Sequence, residues 1–244
     1  MEKNEYYIMF NNESHNWWYI GLHELVEYFV KNNNNKNLSI FDAGCGTGRM
    51  LSILKKYGDV KGIDYSAEAI YFCNKRGINN IKVQDLNTWD SDGELYDIII
   101  CLDVLYHQDI KDDFNMLKFF YKSLSINGLL ILNLPAFNFL KRKHDLLVGG
   151  KRRYRKKYII NKIQSIGFKS ILQTYRLPFL VPVILIKKFI QFIFRLSKME
   201  SDLKNINPIL NKILLQFIRF ENRIISKGIN IPFGSSLFMI SKKA

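Results

Sequence analysis

The sequence is short of most features that mark a specialised protein. Its 244 residues contain three cysteines, Cys45, Cys73 and Cys101, an odd number without a CxxC pair. That excludes a disulfide framework, suits a reducing compartment and implies no metal site. Five prolines and 14 glycines are too few for a collagen-like or low-complexity chain. The opening MEKNEYYIMF lacks the basic-then-apolar order of a secretory signal, so a cytoplasmic protein is expected. The most hydrophobic stretch, 177–196 (LPFLVPVILIKKFIQFIFRL), is broken by Pro178 and Pro182 and by Lys187 and Lys188. A spanning helix needs about 20 apolar residues with few charges, so none is expected there. Acidic residues are nearly missing from the back half. Residues 136–244 hold 23 Lys and Arg against 4 Asp and Glu, a net of +19, whereas residues 1–135 hold 13 against 18, a net of −5.

What remains is a globular chain, 48% hydrophobic, long enough for one core. Residues 16–31 carry apolar side chains at helical spacing. Strands are expected at Leu38–Ala43, Val60–Asp64, Ile81–Gln84, Asp97–Leu102 and Leu129–Leu134, with helices at 49–57, 67–76 and 110–125 between them. Such alternation implies a doubly wound parallel sheet. A basic segment (141–157, nine Lys/Arg) precedes helix 155–166 and a strand at Phe168–Tyr175. From Val183 the polar residues fall on one narrow helical face, which suits a lid or a helix lying in a membrane interface. A helix over 208–227 and a closing strand at Ser236–Lys242 complete the reading. The organisation is then a helical cap (1–37), a core (38–176 and 236–244) and a helical insertion (177–235).

The strongest motif is FDAGCGTGRM. Asp42 ends a buried strand, and Gly44, Gly46 and Gly48 let the backbone pass close to a ligand. A second acid, Asp64, ends the next strand 16 residues beyond Gly48, where a carboxylate can take both hydroxyls of a ribose. Asp85 ends a third strand. In open parallel sheets, ligands lie across the carboxyl ends of the strands, so the three acids converge on one crevice.

These residues resemble the class I S-adenosylmethionine-dependent methyltransferases, clearly over 38–134 and loosely beyond. The resemblance implies a Rossmann-like sheet of seven strands with the last inserted antiparallel near one edge. It implies that Asp42, Gly44, Cys45, Gly46, Thr47 and Gly48 wrap the methionine part of S-adenosylmethionine and that Asp64 holds the ribose. Asp85 and Leu86 would face the adenine, Tyr65 would pack on it, and Cys101 would lie beside the methyl-bearing sulfur. More narrowly, the chain looks like small-molecule methyltransferases of the quinone-biosynthesis type and relatives encoded near cell-surface glycan enzymes. Trp17-Trp18, Asp103-Val104-Leu105-Tyr106-His107, Pro135-Ala136, His144-Asp145, Gly149 to Tyr154 and Pro232 to Ser236 carry that likeness. Two departures stand out: Gly150 where the family commonly has His, and Leu22 and His23 where it often has Arg.

For a hydroxyl acceptor, the chain must remove a proton. His107 and His144 are the candidate bases, Arg153 and Tyr154 candidate clamps for an anionic group, and Trp18 a cover for the site. The reading is O-methylation of a small or lipid-linked acceptor, anionic and glycan-related, with peripheral membrane contact through 177–198. Two alternatives stay open. One is RNA methylation on the basic half, although the Asn-Pro-Pro-Tyr signature is absent after strand four and no RNA-binding module is appended. The other is a cofactor-binding partner protein without turnover. The acceptor, the methylated atom and the oligomeric state are not specified by the sequence.

Overall fold

The computed structural model describes residues 3–33, 36–142, 145–146, 148–194 and 206–244. Two helices, α1 (Lys3–Asn12) and α2 (Trp17–Lys31), precede the sheet. Then follow β1 (Leu38–Ala43), α3 (Arg49–Leu54), β2 (Gly58–Asp64), α4 (Ala67–Lys75), β3 (Ile81–Val83) and β4 (Tyr96–Leu102). The second half holds α5 (Asp113–Ser123), β5 (Leu124–Pro135), α6 (Lys156–Ile166), β6 (Phe168–Arg176), α7 (Leu180–Ile193), α8 (Pro208–Ser226) and β7 (Ser236–Lys243).

The seven strands run in the order β3-β2-β1-β4-β5-β7-β6. Pairing is parallel through β5, and β7 enters antiparallel between β5 and β6. The run Asp97–Leu102 is almost unbroken by polar residues because both faces of β4 are covered. Ile98 and Ile100 pack with Leu22, Leu51 and Ile225 on one side, and Ile99 and Cys101 pack with Phe120 and Ile163 on the other.

Several boundaries differ from the sequence reading. Asp112 caps α5 by accepting from the amides of Phe114 and Asn115, so this helix starts at 113 instead of 110. It ends at Ser123, and β5 starts at once, bulging past the Asn127-Gly128 pair that reads as a turn. Within the helical cap, α1 is a separate helix that the sequence does not mark, since its apolar side chains show no clear stripe.

The cap and the insertion pack on each other. Helix α8 lies so close to α2 that a Cβ on Gly21 would meet the Ile218 side chain at 2.4 Å. Arg219 Nη2 stands 2.6 Å from Glu24 Oε1, and Asn222 Nδ2 donates to the Gly21 carbonyl at 2.7 Å. The cap and the insertion, far apart in sequence, thus form one layer on the α2 face of the sheet.

Candidate active site

A cavity of about 430 Å³ opens at the carboxyl ends of β1, β2 and β4, where the strand order reverses. Its floor is the glycine turn after β1. Gly44 sits at φ +94, and a Cβ there would meet Val104 at 2.4 Å, so only glycine lets the loop pass under this wall. Gly46 N donates to Asp64 Oδ2 at 2.9 Å, while Asp64 Oδ1 accepts from Ser66 N (3.0 Å) and Tyr6 Oη (3.2 Å). Each carboxylate oxygen has two acceptor sites, so Oδ1 is filled and Oδ2 keeps room for one ligand hydroxyl.

The roof comes from the N-terminal segment. Met9 lies over Gly46, and the buried Glu13 carboxylate accepts from Thr47 Oγ1 and from Arg76 Nη2, the latter at 2.5 Å. Arg76 Nε in turn donates to the Thr47 carbonyl at 2.9 Å. Tyr6, Met9 and Glu13 carry no sequence signal, because nothing local to 3–13 shows that this segment packs on α4 and reaches the glycine turn.

Asp42 lies at the centre. It is buried, no hydrogen-bond donor among the described residues reaches its carboxylate, and it faces the cavity. Burial, with the neighbouring Asp64 charge, pushes it up to about 8. An uncompensated buried carboxylate is a seat for a cation, which is what a sulfonium donor with an ammonium group brings. The residues present therefore fit S-adenosylmethionine.

Of the other residues singled out, Cys45, Thr47, Asp85, Leu86, Tyr65, Trp18, His107 and Arg153 all line this cavity. Tyr65 stands at the rim, 68% exposed. Asp85 also caps a short 3₁₀ turn, accepting from Asn87 N at 2.8 Å. Gly48 does not line the cavity; at φ +78 it makes the turn into α3 and backs onto Cys73. Cys101 is corrected too: its thiol lies in the core under β4, and burial pushes it well up. Tyr154 is no clamp. Its ring is buried on the far side of the β4 loop, and its hydroxyl is spent on the Leu105 carbonyl (3.0 Å) and Asp113 Oδ2 (2.9 Å). Arg153 reaches the cavity, but its fork is closed on Asp145 (Nε–Oδ2 2.7 Å, Nη2–Oδ1 2.9 Å) and on the Ala136 carbonyl. His144 lies outside the described residues, as does the end of 177–198.

His107 Nδ1 accepts from the Asp109 amide at 3.3 Å and stands 3.2 Å from Asp109 Oδ2. Desolvation holds its pKa below the usual histidine range. Two further titratable groups line the cavity. His23 is buried and pushed down to about 3, by desolvation first and then by Arg49, Arg76 and Arg176. Asp103, just after β4, is pushed up to about 6 by burial against the pull of Asn133, Arg176 and Arg153.

Known proteins share the sequence family and the fold. The model of a methyltransferase-domain family matches residues 19–172. The ubiquinone biosynthesis O-methyltransferase of Rickettsia typhi is 29% identical over 148 residues, covering 51% of this chain and 57% of that protein. Its counterpart in Rickettsia prowazekii is 29% identical over 117 residues, covering 40% and 46%. The chain thus spans about half the length of the curated relatives it matches. Among solved structures, the N-methyltransferase NodS of Bradyrhizobium japonicum WM9, in complex with S-adenosyl-L-homocysteine, superposes with a TM-score of 0.56 at 13% identity, covering 92% of this chain and 87% of that one. The magnesium protoporphyrin IX methyltransferase of Synechocystis PCC 6803 with bound SAM gives 0.54 at 16% identity, covering 93% and 81%.

Proposed function

The chain belongs to the methyltransferase-domain family and uses S-adenosylmethionine, and from that premise we propose that it methylates an oxygen of a small, lipid-linked, anionic acceptor at a membrane surface. The bound cofactor supplies an electrophilic methyl carbon; the protein aligns the acceptor, excludes water and takes the acceptor's proton. The names of the two rickettsial relatives support oxygen as the target.

One observation carries the lipid part. Leu177, Leu180 and Ile206, which wall one side of the cavity, belong to the same insertion whose outer surface is apolar and basic. Helix α7 buries only Ile184, and leaves Val183, Ile186, Phe189 and Phe192 in solvent, Phe192 at 82%. On α8, Ile209, Ile213, Phe217 and Phe220 are likewise exposed. The single acid of 177–194 and 206–235 is Glu221, which is buried, against Lys187, Lys188, Lys212, Arg219, Arg223 and Lys227. An apolar face ringed by bases complements an anionic bilayer, whereas a second copy would set these bases against their own kind. No helix among the described residues is long and apolar enough to cross a membrane, so the contact is a surface one. A phosphate-bearing headgroup or a polyprenyl-phosphate-linked glycan has the matching charge and anchor.

Sedimentation with vesicles tests this. The chain is expected to pellet with vesicles one-third phosphatidylglycerol, to release with salt, and to ignore pure phosphatidylcholine. Phe189→Ser with Phe192→Ser removes about 2 kcal/mol or more of burial, weakening binding more than tenfold. No binding to anionic vesicles at low salt, or salt-sensitive binding to RNA in their place, rejects the bilayer.

A further inference from the structure

We propose that Asp103 is the general base for the acceptor hydroxyl and that Arg176, acting through Asn133, is its positioning residue. This rests on the reading of oxygen as the methylated atom.

Asp103 follows β4 at φ +54, a backbone conformation that L side chains rarely adopt and that persists where surrounding structure imposes it. Its amide donates to the Asn133 carbonyl at 2.8 Å, and Asn133 Nδ2 returns a bond to Asp103 Oδ2 at 2.7 Å. Asn133 on β5 is fully buried, and its Oδ1 accepts from Arg176 Nη1 at 3.4 Å. Arg176 ends β6, two strands away, and is itself fully buried; its Nε lies 3.7 Å from Glu221 Oε1 on α8. Glu221 is fixed in turn by the Leu177 amide at 2.9 and 3.0 Å.

A buried guanidinium whose Nε and Nη2 find no hydrogen-bond partner among the described residues costs the fold stability. Packing alone gives no reason for it. A charge aimed through Asn133 at Asp103 does: it keeps a half-buried, desolvated carboxylate ionisable at the cavity wall. Among the described residues Asn133 is the hydrogen-bond donor to that carboxylate, so Oδ1 is left for a ligand.

The other candidate bases are worse placed. The Nδ1 of His107 is turned to Asp109, His23 is too weakly basic, Asp64 is held by three donors, and Asp42 belongs to the cofactor's glycine turn. In the step assigned here, the bond from acceptor oxygen to methyl carbon forms as the carbon–sulfur bond breaks. The electron pair of that bond stays on sulfur, and the acceptor's proton moves to Asp103 Oδ1.

The groups facing Asp103 are Arg176 from β6, Arg153 and Asp145 from the segment after β5, Tyr19 from α2, and Tyr106 and Cys101 from its own strand and loop. Their balance makes opposite outcomes testable. Carbon-13 carboxyl NMR of the cofactor-free protein, with the Asp103 signal identified by its loss in Asp103→Asn, should show a midpoint near 6. Arg176→Gln withdraws positive charge and should raise that midpoint by about one pH unit. Glu221→Gln keeps an acceptor for the Leu177 amide, leaves Arg176 uncompensated, and should lower it; Arg176→Lys should stay near wild type. A merely structural role moves neither midpoint in opposite directions, and shifts of equal sign or none overturn the part assigned to Arg176.

In turnover, Asp103→Asn should cost 10²–10⁴ in kcat with little change in acceptor KM, while S-adenosylhomocysteine still raises the melting temperature. The acid limb of the rate profile should move with the NMR midpoint in the Arg176 and Glu221 variants. Wild-type kcat in Asp103→Asn overturns the base. If product analysis finds the methyl group on nitrogen or carbon, it is the oxygen reading that fails, and the opposed NMR shifts still support the link from Arg176 to Asp103.

Discussion

Asp64→Ala is expected to abolish half or more of the thermal stabilisation that S-adenosylmethionine and S-adenosylhomocysteine give the wild-type chain. The carboxylate stands at the end of β2 with acceptor capacity left after serving Gly46, Ser66 and Tyr6. With three of its four acceptor sites taken, the carboxylate can accept one ligand hydroxyl, a bond to a charged group worth about 1.5–3 kcal/mol, so its loss weakens binding about ten- to a hundredfold. At a ligand concentration of 100 Kd the wild type gains about 2.7 kcal/mol, which at this chain length is about 5–11 °C; a tenfold weaker site leaves about half of that and a hundredfold weaker site about 1 °C. The ligand-induced difference is the quantity to compare, because the mutation also strips three donors of their partner and lowers the bare melting temperature. NAD should give no shift in either protein. A full shift in Asp64→Ala would remove the carboxylate from the cofactor site, and stabilisation by NAD alone would overturn the reading of the glycine turn.

The second large effect is on the fold. Glu13→Ala should lower the melting temperature by about 6–20 °C, corresponding to about 3–5 kcal/mol for breaking one side of a buried ion pair. The Glu13 carboxylate is the joint at which the end of α1, the glycine turn and α4 meet, through Thr47 and Arg76. Without it the Arg76 guanidinium keeps only its bonds to the Thr47 and Phe10 carbonyls and its seat over the Phe10 ring. Glu13→Gln preserves an acceptor for Thr47 but not the charge, and should fall between wild type and alanine. Melting of all three proteins by circular dichroism checks this. Equal melting temperatures would mean that the roof contributes nothing to stability and that α1 is merely laid on the sheet.

Which parts of this site were legible in the chain follows from how local their causes are. The glycine turn, Asp42, Asp64 and Asp85 announce themselves because backbone geometry at a strand end demands small or acidic residues at fixed spacing. The seven-stranded order followed from resemblance, and the alternation of strand and helix already implied its parallel half. Glu13 and Tyr6 could not be foreseen, since their partners are 34 and 58 residues away and no periodicity marks α1. The chain from Asp103 through Asn133 and Arg176 to Glu221 was hidden for a related reason. It exists only because β7 slots between β5 and β6, and because α8 returns over the sheet edge, so four polar residues far apart in sequence become neighbours. Tyr154 misled in the opposite direction. Its place beside Arg152 and Arg153 suggests an anion clamp, but the isolated bridge pairing Ala136 with Tyr154 turns its ring inward, to Asp113.

Asp42 brings the donor's affinity under the control of the solution. With its pKa pushed up to about 8, the carboxyl is mostly in its acid form at pH 7 while the cavity holds no cation. Seating positive charge against it favours the anion, so each binding event discharges a proton to the buffer. Affinity for the cofactor should then climb with pH, approaching tenfold per unit, until about 8, and level off above. Calorimetry in buffers of different ionisation enthalpy would count that proton directly. The expected result is uptake of the methyl donor as an exchange of one cation for another, with acidity setting how much of the chain is loaded before any acceptor arrives.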